Sequence, residues 1–281
     1  MKLRPPGEYR AEAARTIRET PGIRDAVTNA TDTFNAHRAH AYGEIDSDRW
    51  RDWARDVKTH VLTHLDEYLV QAEEQLTANG AKVHWAETAS DALAILGDIV
   101  QEHGIERTVK AKSMLTEELG VNEHLEGLGV HVRETDLGEY ILQLLDEPPS
   151  HIVGPSIHRS LEDSQRLFHE RFGTPLDSEP DALAAAAREA LRADFLAADL
   201  GISGGNFLAA ETGTIALIEN EGNIRLSTSL PRVHVAMVGI EKLVPRLEDL
   251  SGFLQLTARD ATGQPIGCFE SLSQGPKRED E

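Results

Sequence analysis

The feature that most constrains this chain is a change of hydrophobic period near residue 81. Before it, apolar residues recur at helical spacing. Trp50, Trp53, Val57, Val61, Leu65 and Leu69 fall at three- and four-residue steps and form one stripe. This predicts one long helix from Ser47, capped by Asp46 or Ser47 and closed at Asn79–Gly80. Two shorter helices are predicted upstream, Ala11–Arg18 and Ile23–Ala41, separated by Pro21–Gly22.

After residue 80, short apolar runs alternate with helical segments. Strands are predicted at Ala81–Trp85, Thr108–Ala111, Val130–Arg133 and His151–Val153. Between and after them, helices are predicted at Ser90–Glu102, Met114–Leu119, Asn122–Glu126, Leu137–Leu145, Ser160–Phe172 and Asp181–Asp199. Alternation of this length implies an α/β fold with a parallel sheet covered on both faces. The pattern shifts again near residue 200. Leu200–Ser203, Phe207–Ala210, Gly213–Ile218, Ile224–Ser227 and Val233–Val238 read as short strands, with a tight turn at 219–222. A last helix, Pro245–Leu256, and one strand complete the chain. The organisation expected is a helical extension over 1–80, an α/β domain over 81–275 and a charged tail over 276–281.

Composition narrows the function classes. The 281 residues carry 28 basic and 48 acidic side chains, a net charge of −20. Residues 86–200 hold 9 basic and 23 acidic groups, so the acid is concentrated in the middle. Nucleic-acid binding needs a basic footprint and is not expected. No apolar run approaches the ~20 residues of a membrane span, and the first 15 residues lack a signal-peptide core. A cytoplasmic protein is expected. The single cysteine, Cys268, excludes a disulfide framework or a four-thiolate centre held by this sequence alone.

The densest cluster of special residues is Gly201-Ile-Ser-Gly-Gly-Asn206, followed by Glu211-Thr-Gly-Thr214. Gly204 and Gly205 after a strand permit positive φ and close approach to a ligand, and successive N–H groups there can cradle an anion. A plain turn has the same composition. Walker A and dinucleotide loops are excluded, because no Gly-Lys-Ser/Thr follows and the loop leads to a strand. Glu211, with Thr212 beside it, lies between two apolar runs. It can serve as nucleophile, base or ligand anchor, or as an edge carboxylate satisfied by backbone N–H groups. Lys110 and Lys112 stand at a strand end within the acidic segment, either for an anion or to neutralise Glu117 and Glu118. Glu134 and Asp136 close the next strand, where side chains face the binding crevice of an open sheet. Arg225, Arg232 and Lys242 punctuate the later strands and can join Asn206 and the glycines around a carboxylate or phosphate. His151 and His158 bracket a Gly-Pro-Ser turn, and His60 and His64 are spaced four apart on a helix. Neither pair has the further ligands that a metal site needs.

The runs V-K-A-K-S-M-L-T-E-E, E-T-D-L-G-E-Y-I-L-Q-L and H-I-V-G-P-S-I-H-R are joined by the long G-I-S-G-G-N-F-L-A-A-E-T-G-T-I-A-L-I-E-N-E-G-N-I-R-L-S-T-S-L-P-R-V-H-V-A-M-V-G-I-E-K-L-V-P. Together they resemble the LUD domain family, specifically its LutB-like lactate utilisation branch. The resemblance implies a fold similar to the NagB, RpiA and CoA-transferase group. It implies action with LutA-like and LutC-like partners in oxidising L-lactate to pyruvate. It also implies a ferredoxin-like segment with two [4Fe–4S] clusters, whose cysteine motifs this sequence lacks before it stops at Q-G-P-K-R-E-D-E. The clusters are therefore expected in a further segment or a partner, with no cofactor held here. Two alternatives stay open: a free-standing enzyme of the CoA-transferase or sugar-phosphate type using Glu211, and a non-catalytic scaffold.

Lysine is scarce, 7 against 21 arginines, as in chains adapted to high salt. Self-repulsion at −20 should weaken the fold in dilute buffer. Thermal melting in low salt and in molar KCl should therefore show a clear rise in Tm with salt; a flat response removes the halophile reading.

Overall fold

The computed structural model describes residues 22–149, 154–219, 221–267 and 269–276, with scattered positions between 10 and 18. The expected helix Ala11–Arg18 falls largely outside the described residues, as do the expected strand His151–Val153 and Cys268.

A four-stranded parallel sheet forms the centre. Its strands are β1 (Arg107–Lys110), β2 (His131–Glu134), β3 (Leu200–Ser203) and β6 (Val233–Ala236), in the order β2-β1-β3-β6. The parallel register leaves both faces to be covered, and helices cover them. On one face Leu96 and Val100 of α4 (Ala89–Glu102) and Val121 and Leu125 of α6 (Val121–Gly127) pack against Val132, Leu200 and Ile202. On the other, α7 (Leu137–Leu145), α8 (Leu161–Phe172) and α9 (Pro180–Ala197) bury Tyr140, Phe168, Leu183 and Leu191 around Val109. Local chemistry sets these starts. Thr88 and Asp91 form a reciprocal capping box on α4, Ser160 and Asp163 do the same on α8, and Pro180 opens α9.

A second four-stranded sheet, mixed in direction, runs β7-β4-β5-β8. It comprises β4 (Phe207–Ala209), β5 (Thr214–Glu219), β7 (Leu243–Val244) and β8 (Phe269–Ser273). The helices α1 (Gly22–Gly43), α2 (Ser47–Thr63) and α3 (Leu65–Ala78) do not stand apart from it. Trp53, Ala54 and Val57 of α2 join Ala209, Ala216 and Phe253, while Val61 and Ala72 join Ala210 and Leu243.

Five expectations are corrected. The helix from Ser47 is broken at His64 (φ −121°), where the Thr63 hydroxyl donates to Thr59 O and the His64 ring bonds His60 O, competing for the last-turn carbonyls. Ala81–Trp85 alternates like a strand but meets no sheet edge and stays irregular. Ile224–Ser227 lies in a helix, α10 (Asn223–Ser229), because Gly222 turns the chain at φ 79° and the Glu219 carboxylate accepts the Arg225 N–H. β5 is therefore followed by a helix, and the expected hairpin between two strands is not formed there among the described residues. The last helix, α11, spans Asp249–Thr262 and not Pro245–Leu256, because the Asp249 carboxylate accepts Arg246 N–H and holds the preceding residues in a turn.

α10 lies on β3 so closely that a Cβ on Gly201 would sit 1.8 Å from Ser227 O. Overpacking of a core typically costs about 1–3 kcal/mol, and a clash with backbone lies at the upper end or beyond. Gly201→Ala should destabilise the fold by ~3 kcal/mol or more in urea unfolding; a change under ~1 kcal/mol would show that α10 yields.

Candidate functional site

Order β2-β1-β3-β6 places a topological switch point between β1 and β3, because the chain leaves them in opposite directions. Ligands of open α/β sheets bind outside the carboxyl ends of strands at such a point. The segments leaving β1, β3 and β6 converge there. A Cβ on Gly204 would lie 2.8 Å from Ser113 Oγ, and one on Gly205 would lie 2.8 Å from a Val238 methyl group. Glycine is needed for close approach and not for positive φ, since neither residue adopts it. Asn206 fixes the exit: its N–H donates to Ala216 O (2.9 Å) and its Oδ1 accepts the Ile218 N–H (2.9 Å). Ser203 Oγ and His234 Nε2 are hydrogen-bonded at 2.8 Å across β3 and β6.

Beneath this mouth lies a buried charge cluster. Lys110, the last residue of β1, is 0% exposed. Its Nζ reaches Glu117 Oε1 at 2.7 Å and Glu134 Oε1 at 2.9 Å. Asn122 Nδ2 donates to the same Glu134 oxygen (2.6 Å). Burial opposes the charge on Lys110, but the carboxylates of Glu134, Glu117 and Glu139 outweigh it and hold the ammonium above its ordinary pKa. Glu139, on the first turn of α7, is buried, and neither of its carboxyl oxygens has a hydrogen-bond partner among the described residues. Burial, then the neighbouring Glu134 charge, pushes its pKa up to about 9. It is a neutral acid at pH 7. Lys112, at the rim, pairs with Asp136 Oδ2 at 3.1 Å. Glu221 accepts the Leu137 N–H (3.1 Å), and burial together with Asp136 raises its pKa.

The residues singled out in the sequence thus separate into groups. Gly204, Gly205, Asn206, Lys110, Lys112 and Lys242 lie at the strand-end mouth. Lys242 precedes β7, which runs parallel to β4, so it shares an end with Phe207 and the glycine loop. Lys110 lies under the surface and is committed to two carboxylates. Glu211 and Thr212 sit at the other end of β4, ~15–20 Å along the chain at about 3.3 Å per residue. Glu211 Oε2 accepts the Leu247 N–H (3.1 Å), and Thr212 O accepts from Asn79 Nδ2 (2.9 Å). Near them a cavity of about 420 Å³ is lined by Asn79, Thr214, Leu247, Leu272 and Gln274, together with Gly275 and Pro276. Arg225 is an exposed residue on α10, 3.8 Å from Glu219. Arg232 precedes β6, at the opposite end of the parallel sheet, and donates to His103 O. His158 pairs with Glu147, and His60 bonds Tyr68 Oη (2.9 Å). Among the described residues no group of three or more His, Cys, Asp or Glu is placed to hold a metal. Sequence reasoning missed Ser113, His234 and Glu139. The switch-point rule, applied to the residues after each strand, had a means of finding Ser113 and Glu139, whereas His234 lies within β6 and carried no such signal.

This architecture is that of an α/β domain with a parallel core and an appended mixed sheet. Residues 69–281 match the LUD domain, and the chain belongs to that family. It is 41% identical over 260 residues to the uncharacterized electron transport protein YkgF of Escherichia coli (strain K12), covering 92% of this chain and 55% of that protein. Two proteins named lactate utilization protein B are similar. That of Macrococcus caseolyticus is 38% identical over 283 residues (100% of this chain, 59% of that protein), and that of Bacillus pumilus is 41% identical over 261 (92% and 55%). The chain spans little more than half the length of these curated relatives. No solved structure matches it. No described helix is long and apolar enough to cross a membrane.

Glu139 gives the site a pH signature. Its pKa is raised from 4.5 to about 9 in the folded protein, so the folded state binds a proton that the unfolded chain has released. Its contribution is full below pH 4.5 and is lost as pH rises through about 9. Wild type should therefore lose stability relative to Glu139→Gln between pH 6 and pH 9 in denaturant unfolding, and parallel profiles for the two would refute the assignment.

Proposed function

We propose that this chain is the LUD component of a lactate-utilisation system, in which L-lactate is oxidised to pyruvate. The observation that carries the reading is identity of about 40% with proteins named lactate utilization protein B over nine tenths or more of this chain. Electrons from lactate need an acceptor. One cysteine in 281 residues cannot supply the four thiolates of a [4Fe–4S] cubane, so this donor set does not fit the cluster. In this reading the clusters belong to another segment or to an iron–sulfur partner, with LutA-like and LutC-like subunits completing the system.

The part assigned to this chain is to hold an anionic ligand or a partner's surface at the strand-end mouth. The glycine loop brings backbone close, Lys242 supplies charge, and the Lys110–Glu134–Glu139 cluster below keeps the floor rigid. Glu211 is remote from this mouth, with its carboxylate engaged by a backbone N–H, and that placement does not favour the CoA-transferase alternative.

The test is genetic and biochemical. Deleting the gene in the source organism should abolish L-lactate-dependent reduction of an artificial electron acceptor in extracts, and re-expression should restore it. Gly205→Val, which fills the mouth against Val238 and Ile215, should restore about tenfold less or worse. Unchanged activity in the deletion strain would overturn the proposal.

A further inference from the structure

The expected cations of the mouth, Lys110 and Lys112, both pair with carboxylates. A different lysine completes a less compensated positive centre at the same end of the second sheet. Lys58 comes from α2, upstream of the residues that match the LUD domain. Its side chain is half-buried, and its Nζ donates to Glu241 O (2.8 Å) and Leu243 O (2.7 Å). Both acceptors are neutral carbonyls. Among the described residues no carboxylate is in ion-pair contact with Lys58. The ammonium lies 5.8 Å from the Phe207 ring and 5.4 Å from that of Phe253. Phe207 is the first residue after the glycine loop, so this centre adjoins the loop's exit.

Two charged groups face Lys58. One is Lys242, on the 3₁₀ turn Ile240–Lys242 whose carbonyls Lys58 holds, and it repels. The other is Glu241, whose exposed carboxylate is shared with Lys242 at 3.6 Å. Lys58 thus holds the carbonyls on either side of Lys242, and the carboxylate that acts on both lysines is the solvent-exposed Glu241. Burial and then the Lys242 charge bring the Lys58 pKa down to about 8. A fold of net charge −20 that sets two of its seven lysines together leaves a place where an anion relieves repulsion.

We propose that Lys58 and Lys242 form a binding site for a small organic carboxylate, with the anion bridging the two ammonium groups and its short carbon skeleton beside the Phe207 ring. The helical extension then contributes a binding residue to the LUD domain and is not a passive appendage. The inference is read from binding alone and does not depend on lactate being oxidised.

The test is isothermal calorimetry on the full purified chain with acetate, L-lactate, pyruvate and inorganic phosphate. A carboxylate should bind at pH 6.5, and its affinity should fall about tenfold per pH unit above pH 8 as Lys58 loses its proton. Lys242→Met, at a partly exposed residue, should weaken binding at least about tenfold. Lys58→Arg cannot deprotonate and should keep binding at pH 9.5, where wild type has lost it. Lys58→Met should abolish binding, with circular dichroism checking its fold. Should that variant fail to fold, Lys242→Met and the wild-type pH profile still decide. Absence of carboxylate binding at pH 6.5 overturns the site. So does equal affinity in wild type and Lys242→Met, or binding of phosphate alone.

Discussion

The buried ammonium of Lys110 sets the geometry on which the mouth depends. It ends β1, and its two carboxylate partners come from other elements, Glu117 from the short helix α5 (Met114–Leu119) and Glu134 from the end of β2. One charge thus ties a strand, its neighbour and the helix between them. Removing one partner of such a buried group is expensive, about 3–5 kcal/mol, because the remaining charge stays buried without compensation. The cluster also explains why Glu139 stays protonated. With two ionised carboxylates already around one lysine, a third buried charge has no counterion, and neutralisation is the cheaper solution.

The second organising fact is that β4 has two ends. Its start carries Gly204, Gly205, Asn206 and Phe207, with Lys242 alongside, while its far end carries Glu211, Thr212 and the cavity beside Asn79. Residues that read as one motif in the sequence are split by an extended strand. α2 reaches the first end through Lys58, and α3 packs at the second, where a Cβ on Gly213 would lie 2.8 Å from Leu76 N. The N-terminal helices serve both ends of the domain, which accounts for their shared core with the second sheet.

Much of the fold was legible because its signals are local. Leu200–Ser203, Met114–Leu119 and Leu137–Leu145 were read at their observed bounds, since apolar runs, caps and Pro or Gly stops lie within a few residues of each other. Ile224–Ser227 reads as a strand because Ile-Arg-Leu-Ser alternates apolar and polar, and four residues are too few to separate the two periods. Its helical state depends on Glu219, a side chain from the preceding strand. Ala81–Trp85 was misread for the converse reason: alternation describes a strand only where an edge exists to pair with it. Within the site, Gly204 and Gly205 were legible as sites of close approach. The burial of Lys110, and the lack of a carboxylate partner at Lys58 among the described residues, were not.

By itself the sequence determined the class of the chain, its parallel α/β core and its family, because hydrophobic period and a long contiguous motif are one-dimensional properties. Which charges are spent and which remain available was decided only by the tertiary structure. Lys110 and Lys58 are the same residue type with the same unperturbed chemistry. One is paired with carboxylates from two other elements, and the other is surrounded by backbone carbonyls, two aromatic rings and a second lysine. Electrostatic energy depends on distance and burial in space, and separation along the chain encodes neither.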